Sequence, residues 1–157
     1  MLAALRVAPE AELALLVGGR AVKGEGLEAA PDRTQPVHPL ADFAAAVARA
    51  GLVRDLAPGT DGGTIEFIHL GTGGAAHSAS RLTLGAGARL ILVETLAGTG
   101  PDHWLNHRLD VTLGEGAELT RVLLVPEGPG LVSERLAARL AAGARLVAVT
   151  LATASAA

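Results

Sequence analysis

A chain of 157 residues has the length of a single domain, and half of its residues are hydrophobic, which is enough for a packed core. The formal net charge is −3 and neither half of the chain is strongly basic, so a nucleic-acid-binding surface is not expected. The sequence holds no cysteine, which excludes disulfide bonds, thiolate catalysis and Cys-ligated metal centres formed by this chain alone. Aromatic residues make up only 2%, so we expect a core of Leu, Val and Ala.

The apolar stretch near the N-terminus is interrupted by Arg6, Glu10 and Glu12. It is therefore neither a membrane span of about 20 residues nor the core of a signal peptide. These features predict a cytoplasmic protein without a membrane segment.

Residues 1–55 are predicted to form a small α/β region that precedes the rest of the fold. Leu13, Leu15 and Val17 alternate as in a short strand, and the glycines that follow indicate a turn. A proline-rich loop comes next. Leu40–Ala50 has apolar residues at helical spacing, with Gly51 placed to end it, and is the best candidate helix.

From residue 56 to residue 157 the sequence is repetitive. Leu84–Leu90, Leu113–Leu119 and Leu140–Leu146 share the order Leu, small residue, any residue, Gly, Ala, charged residue, Leu. The copies are 29 and 27 residues apart, and Leu56–Gly59 begins a degraded earlier copy. Periods of this length are typical of solenoids.

The repeat predicts stacked coils of parallel strands. A glycine at a fixed position suits a turn with positive φ, and leucines at alternating spacing suit strands with one buried face. Stacking in register would form two leucine ladders and one alanine column (Leu84, Leu113 and Leu140; Leu90, Leu119 and Leu146; Ala88, Ala117 and Ala144). We therefore predict a mainly β fold, with a partial parallel β-helix of about three coils over residues 56–157. A helix over Ser133–Leu140 remains an alternative for the third copy.

Glycine-rich segments at residues 71–74, 85–87 and 114–116 invite comparison with phosphate-binding loops. None of them completes a GxGxxG or a P-loop pattern, and two of them lie within the repeat. We interpret these glycines as turn residues.

Histidines at a four-residue spacing can share one face of a helix or strand and hold a metal ion, and His103 and His107 have this spacing. No third ligand is evident, so we interpret them, like His69 and His77, as polar loop residues. Asn106 is predicted to lie in a turn, where it caps backbone groups.

Three carboxylates, Glu66, Glu94 and Asp110, would lie on stacked strands, as the acids of a β-helix carbohydrate-active enzyme do. Such a site also needs an open groove with aromatic residues that stack on sugars, and the chain has one Trp and no Tyr. Ser78 and Ser80 are not in a GxSxG nucleophile elbow. We assign no catalytic, cofactor-binding or metal-ligating residue from the sequence.

Several segments of the chain follow one another in a specific order and spacing: Thr64–Leu70, Arg81–Glu94, Trp104–Val111 and Val125–Glu127, preceded by Val17–Arg20 and the Leu40–Ala50 helix. In this order and spacing they resemble SufD, a scaffold subunit of the SufB/SufD family in the Suf iron–sulfur cluster assembly system. The resemblance covers essentially the whole chain and is firmest over residues 64–150.

This resemblance implies a right-handed parallel β-helix and a complex with a SufB-like subunit and a SufC-like ATPase. It implies no cofactor bound by this chain itself, and an iron–sulfur cluster only in the assembled complex. Family members are longer, with more coils and a C-terminal helical region, so we expect the sequence to be truncated at its C-terminal end. The family's cluster-related residues and its strand pairing with SufB lie in the part that is missing here, and none of those residues is carried over.

A β-helix that stops between coils leaves unpaired backbone groups and an open apolar end. We therefore expect self-association, or strand pairing with a partner, through the coil around Leu140–Leu151. The first hypothesis is a non-catalytic scaffold subunit in iron–sulfur cluster assembly. The alternatives are a β-helix carbohydrate-active enzyme and a structural β-solenoid without activity.

Overall fold

The computed structural model describes residues 5–28, 44, 47–99, 102–128 and 130–153. These residues form strands joined by short turns. In chain order the strands are β1 (Glu12–Val17), β2 (Arg20–Lys23), β3 (Leu27–Glu28), β4 (Gly51–Leu56), β5 (Asp61–Gly71), β6 (Gly74–Leu84), β7 (Arg89–Gly98), β8 (His103–Leu113), β9 (Glu118–Val125), β10 (Leu131–Leu140) and β11 (Arg145–Ala152).

Two sheets are formed, and the long strands alternate between them. One sheet has the order β11-β9-β7-β5-β1-β2 and the other has the order β10-β8-β6-β4-β3. The pairs β1–β2 and β3–β4 are antiparallel, whereas the remaining pairs are parallel. The chain winds from β5 to β6, from β7 to β8 and from β9 to β10, and β11 begins the next rung. The fold is therefore a parallel β-solenoid of about three turns, as the repeat predicted.

The leucines of the repeat stack in register, which confirms the central prediction from the sequence. Leu113 pairs with Leu84 on one side and with Leu140 on the other. The second ladder, in the other sheet, consists of Leu90, Leu119 and Leu146. Adjacent strands in a sheet are about 5 Å apart, so Leu84, Leu90, Leu113 and Leu119 are each covered by the equivalent leucine of the next coil.

The glycine of each repeat copy lies in the turn that joins the two sheets. Gly87, Gly116 and Gly143 have φ values of +67°, +63° and +67°, a region that residues with a Cβ rarely adopt. Gly59 has a φ of +72°, so the degraded copy Leu56–Gly59 makes the same turn one coil earlier. These segments are turns, as the sequence indicated.

Interior side chains form two apolar clusters. The larger cluster lies near the glycine turns and surrounds Phe67 with aliphatic side chains. The smaller cluster lies towards the other end of the strands and is formed by Ala76, Leu96, Leu105 and Leu123. Aliphatic residues dominate both clusters, as the composition predicted.

The strands that precede residue 56 extend the same two sheets. β1 pairs in parallel with β5, and β4 pairs in parallel with β6. The predicted strand at Leu13–Val17 is present, and Ala14, Leu15 and Leu16 are all buried, so its two faces do not differ in exposure as simple alternation would suggest. Ala14 and Leu16 face the core because they pair with Phe67 and His69, whose side chains point into the solenoid.

Two predicted helices have different outcomes. Leu40–Ala50 lies mostly outside the described residues; in its described part, Ala48 N–H donates to Ala44 O at 2.8 Å, the bond of one helical turn. The alternative helix over Ser133–Leu140 is wrong, because this segment belongs to β10 and pairs with β8 along its whole length.

Candidate functional site

A line of polar side chains crosses the interior of the solenoid between the two apolar clusters. Each of three successive coils contributes one residue from each sheet. We call this set the polar chain; its members are His69 and Ser78, Glu94 and His107, and Arg121 and Glu134. Strand alternation places them inside, because every second residue of a strand faces the same side.

The members of the polar chain from the first two of these coils are joined by hydrogen bonds between their side chains. Ser78 Oγ lies 3.0 Å from His69 Nδ1 and 2.7 Å from His107 Nδ1. His107 Nε2 lies 3.1 Å from Glu94 Oε1. The hydroxyl and the carboxylate are thus bridged by a single imidazole ring.

The remaining members of the polar chain form an ionic unit, in which the guanidinium of Arg121 donates hydrogen bonds to two carboxylates. Its Nε donates to Glu94 Oε2, and its Nη2 donates to Glu134 Oε1 at 2.8 Å. Burial opposes the charge of Glu94, but the hydrogen bond and the proximity of His107, together with Arg121, hold the pKa of this carboxyl below its ordinary value. Burial also disfavours the Arg121 cation, but Glu94 and Glu134 raise its pKa above the usual value.

His69 is the first member of the polar chain and is fully buried. Burial, followed by the nearby imidazoles of His107 and His77, lowers the pKa of His69 to about 3. The ring is therefore neutral at pH 7. Its Nε2 is buried without a hydrogen-bond partner in the described part of the chain.

Ser78, His107 and Glu94 are the residue types of a hydrolytic triad, and they are hydrogen-bonded in that order. A nucleophilic serine must reach a substrate, however. All three side chains are fully buried, and Ser78 is also held by His69. We therefore interpret the polar chain as part of the interior packing rather than as an active site.

The sequence analysis missed the polar chain, although the repeat spacing contains it. Ser78, His107 and Glu134 are separated by the same 29 and 27 residues as the leucines of the repeat, and they pair in register. Extending the repeat from the leucines to every interior position would have placed these three residues in one column.

His103 and His107 lie on β8, so their interpretation as loop residues is wrong. The segment is a strand because it pairs with β6 and β10. Residues four apart on a strand face the same side, and here both side chains are buried on the interior face. Four residues of a strand span about 13 Å, which is too far for one metal ion to bind both rings. His103 lies beside Gly98, where a Cβ atom would overlap its ring. Among the described residues, no group of three or more His, Cys, Asp or Glu side chains could hold a metal ion.

His69 and His77 flank the turn between β5 and β6, but they lie within these strands rather than in the turn. The interpretation of His69 as a loop residue is wrong, since its ring is inside the solenoid. His77 is half-buried and makes an edge-to-face contact with Trp104, with ring centroids 5.1 Å apart.

Asn106 lies in the middle of β8, so the prediction of a turn residue is also wrong. Its Oδ1 accepts a hydrogen bond from Ser133 Oγ at 2.9 Å. Ser133 Oγ in turn accepts one from Trp104 Nε1 at 3.0 Å. On the face opposite to His107, these side chains join two adjacent coils.

The three carboxylates that the enzyme hypothesis requires do not come together. Glu66 accepts a hydrogen bond from Arg6 of the N-terminal segment. Glu94 points into the polar chain, and Asp110, in the other sheet, pairs with Arg108 at 2.9 Å. Strand alternation and sheet assignment separate the three acids, so they do not line a common groove.

The last rungs of the two sheets, β10 and β11, form what we call the open end. Each has a parallel neighbour on one side only among the described residues. Leu140 is 48% exposed here, and Leu131, Val149 and Leu151 are also exposed large apolar residues. Glu134, the last member of the polar chain, has 20% of its side chain exposed. The open end combines free backbone groups, apolar side chains and one partly covered carboxylate.

No protein-family model, no curated protein and no solved structure matches the chain. The described residues include no helix with the length and apolar character needed to cross a membrane.

Proposed function

We propose that the chain is a non-catalytic scaffold subunit in cytoplasmic iron–sulfur cluster assembly, similar in role to SufD. In this role it makes and breaks no bond itself. Its strands position a SufB-like subunit and a SufC-like ATPase. Because the chain has no cysteine, any cluster ligand is a His or Glu of this chain or a residue of a partner chain. The resemblance of the ordered segments to SufD supports this assignment, and the β-solenoid is the fold that this resemblance implies.

The observation that carries the proposal is the open end. An edge strand presents a row of N–H and C=O groups that another chain can pair with. Here two parallel edges lie side by side, on β10 and β11, with exposed apolar side chains between and beside them. A coil of a partner that continues both sheets would satisfy the backbone groups and bury this apolar surface at once.

Co-elution tests the proposal. The chain is mixed with purified SufB and SufC subunits and passed over a size-exclusion column, and we expect a stable complex. Leu140→Lys places a charge in the surface that docking would bury, so it should abolish the complex.

Ile91→Lys is the matched control for Leu140→Lys. Ile91 is 45% exposed, close to the 48% of Leu140, but it lies on β7, away from the open end. This variant should bind as the unmodified chain does. If the unmodified chain binds neither subunit, the structural β-solenoid without activity is favoured. If both lysine variants bind equally well, the open end is not the docking surface.

A further inference from the structure

A cavity of about 360 Å³ lies between the turn that joins β1 to β2 and the start of β6. Residues 18–20 line one side of it, and Ala75 and His77 line the other. Val47 and Arg49, which precede β4, complete the lining among the described residues. We call this space the basic cavity. Because β2 is the edge of its sheet opposite to β11, the basic cavity lies away from the open end.

A glycine in the turn shapes one wall of the basic cavity. Gly19 has a φ of +75°, and a Cβ atom there would lie 3.0 Å from the carbonyl oxygen of His77. A residue with a side chain would be strained in this conformation and would push the turn away from β6. The wall is therefore formed by backbone that contacts backbone, which gives the cavity a fixed shape.

The charged groups that line the basic cavity are all basic. Arg20 and Arg49 contribute two guanidinium groups, and His77 contributes an imidazole ring. None of the described residues that line the cavity is a Glu or an Asp. Because the whole chain has a formal net charge of −3, this positive character is local.

The two arginines of the basic cavity differ from many others in the described part of the chain, which are paired with a carboxylate. The paired arginines are Arg6, Arg54, Arg81, Arg89, Arg108 and Arg121. Arg20 and Arg49 are exposed, and their side chains form no hydrogen bond or ion pair with any described residue. Their guanidinium donors are therefore available to a ligand.

A phosphate group matches these donors. A guanidinium is always charged at neutral pH and binds phosphate through two parallel hydrogen bonds. Two guanidinium groups at one cavity repel each other, and a ligand with two negative charges relieves this repulsion. A phosphate monoester carries a charge of about −1.5 to −2 at pH 7, whereas a single carboxylate carries only one negative charge.

The size of the basic cavity indicates what carries the phosphate. Sites for small molecules have volumes of about 300–1,000 Å³, and the basic cavity is at the lower end of this range. This volume favours a small phosphorylated molecule over a polymer.

We propose that the basic cavity binds the phosphate group of a small molecule, with Arg20 and Arg49 donating hydrogen bonds to its oxygens and His77 beside them. This site goes beyond the proposed docking function and uses none of the residues of the open end.

Isothermal titration calorimetry with inorganic phosphate tests the proposal, and we expect one site per chain. Arg20→Gln and Arg49→Gln should each raise the dissociation constant about tenfold or more, because each removes charged hydrogen bonds to the anion. Arg89→Gln is the matched control. It removes the same charge from an exposed arginine on β7, outside the cavity, and should leave phosphate binding unchanged.

Val47→Glu provides a second variant in case substitution of an arginine unfolds the chain. It places a carboxylate at an exposed position of the cavity lining and should abolish phosphate binding. Malonate, a dicarboxylate, should bind more weakly than phosphate. The inference is overturned if the unmodified chain does not bind millimolar phosphate, if the Arg20, Arg49 and Arg89 variants bind it equally well, or if malonate binds more tightly. Leu140→Lys, which tests the docking function, should leave the affinity for phosphate unchanged.

Discussion

The second and third coils contain the same repeat motif, but among the described residues only the second coil has a rung on both sides. Leu113 and Leu140 occupy the same motif position and pair with each other, yet their exposed fractions are 1% and 48%. The local sequence is not the cause of this difference, because both residues are leucines on regular strands. The cause is the neighbour: Leu113 has a rung on both sides and Leu140 on one. In a solenoid, the motif defines the rung and the adjacent rung decides how much of it is buried.

The polar chain shows the same contrast. Glu94 is fully buried and is held by His107 and Arg121, whereas Glu134 shares Arg121 and is partly exposed. Charged groups in the closed coils therefore depend on their partners far more than those at the open end do. Mutations that separate the two environments can test this difference.

The largest effect is expected for Arg121→Ala. Removal of the guanidinium leaves two carboxylates without their shared cation, and Glu94 is buried, so the free energy of unfolding should fall by about 3–5 kcal/mol. Urea denaturation measures the loss. Arg89→Ala is the control, because Arg89 and Glu118 form an exposed pair and its loss should cost about 1 kcal/mol or less. Equal losses for the two variants would show that the polar chain does not stabilise the interior.

Truncation of the stacked leucines should give the next largest difference. Leu113→Ala creates a cavity between two coils and should cost about 2–5 kcal/mol. Leu140→Ala, at the equivalent position of the open end, should cost about 1 kcal/mol or less, because half of its surface is already in water. Thermal and urea unfolding of the two variants provide the comparison. Similar losses at both positions would mean that the open end is covered in solution.

The smallest effect is a pH dependence that arises in the closed coils. The pKa of His69 is about 3 in the folded chain, against an ordinary value of 6.5. Between these values the unfolded chain binds a proton that the folded chain does not. Stability therefore falls as the pH is lowered from 6.5, by at most about 1.4 kcal/mol per pH unit.

Urea unfolding between pH 6.5 and pH 5 separates the contribution of His69 from that of Glu94, whose lowered pKa acts only further into the acid range. The same range includes a contribution from His77, because burial also lowers the pKa of His77. His69→Gln keeps a polar group beside Ser78 and should reduce the slope of stability against pH. His77→Gln should change the slope less, because His77 is only half-buried. If the slope is the same in both variants and in the unmodified chain, His69 is not the titrating group.

Much of the fold could be predicted from the sequence, because a short motif that recurs after 29 and 27 residues also indicates which distant segments lie side by side. The Leu, Gly and Ala positions of three copies gave the turns, the strands and the ladders. The prediction of exposure failed for polar side chains that are buried within a strand. His69, His107 and Asn106 looked like loop residues because polar residues are usually exposed. They are buried because partner side chains satisfy their hydrogen bonds. The partner of His69 lies on the other sheet of the same coil, and the partners of His107 and Asn106 include residues of adjacent coils, 29 and 27 residues away in the sequence.

The sequence by itself determined that this chain winds into stacked coils, since glycine turns and alternating leucines have few other ways to satisfy backbone bonds and burial together. Only the tertiary structure decided that six polar residues join into one interior chain and that it ends at Glu134. The physical reason is that a hydrogen bond or an ion pair depends on distances of a few ångströms between coils, and these distances are set only after the coils have stacked.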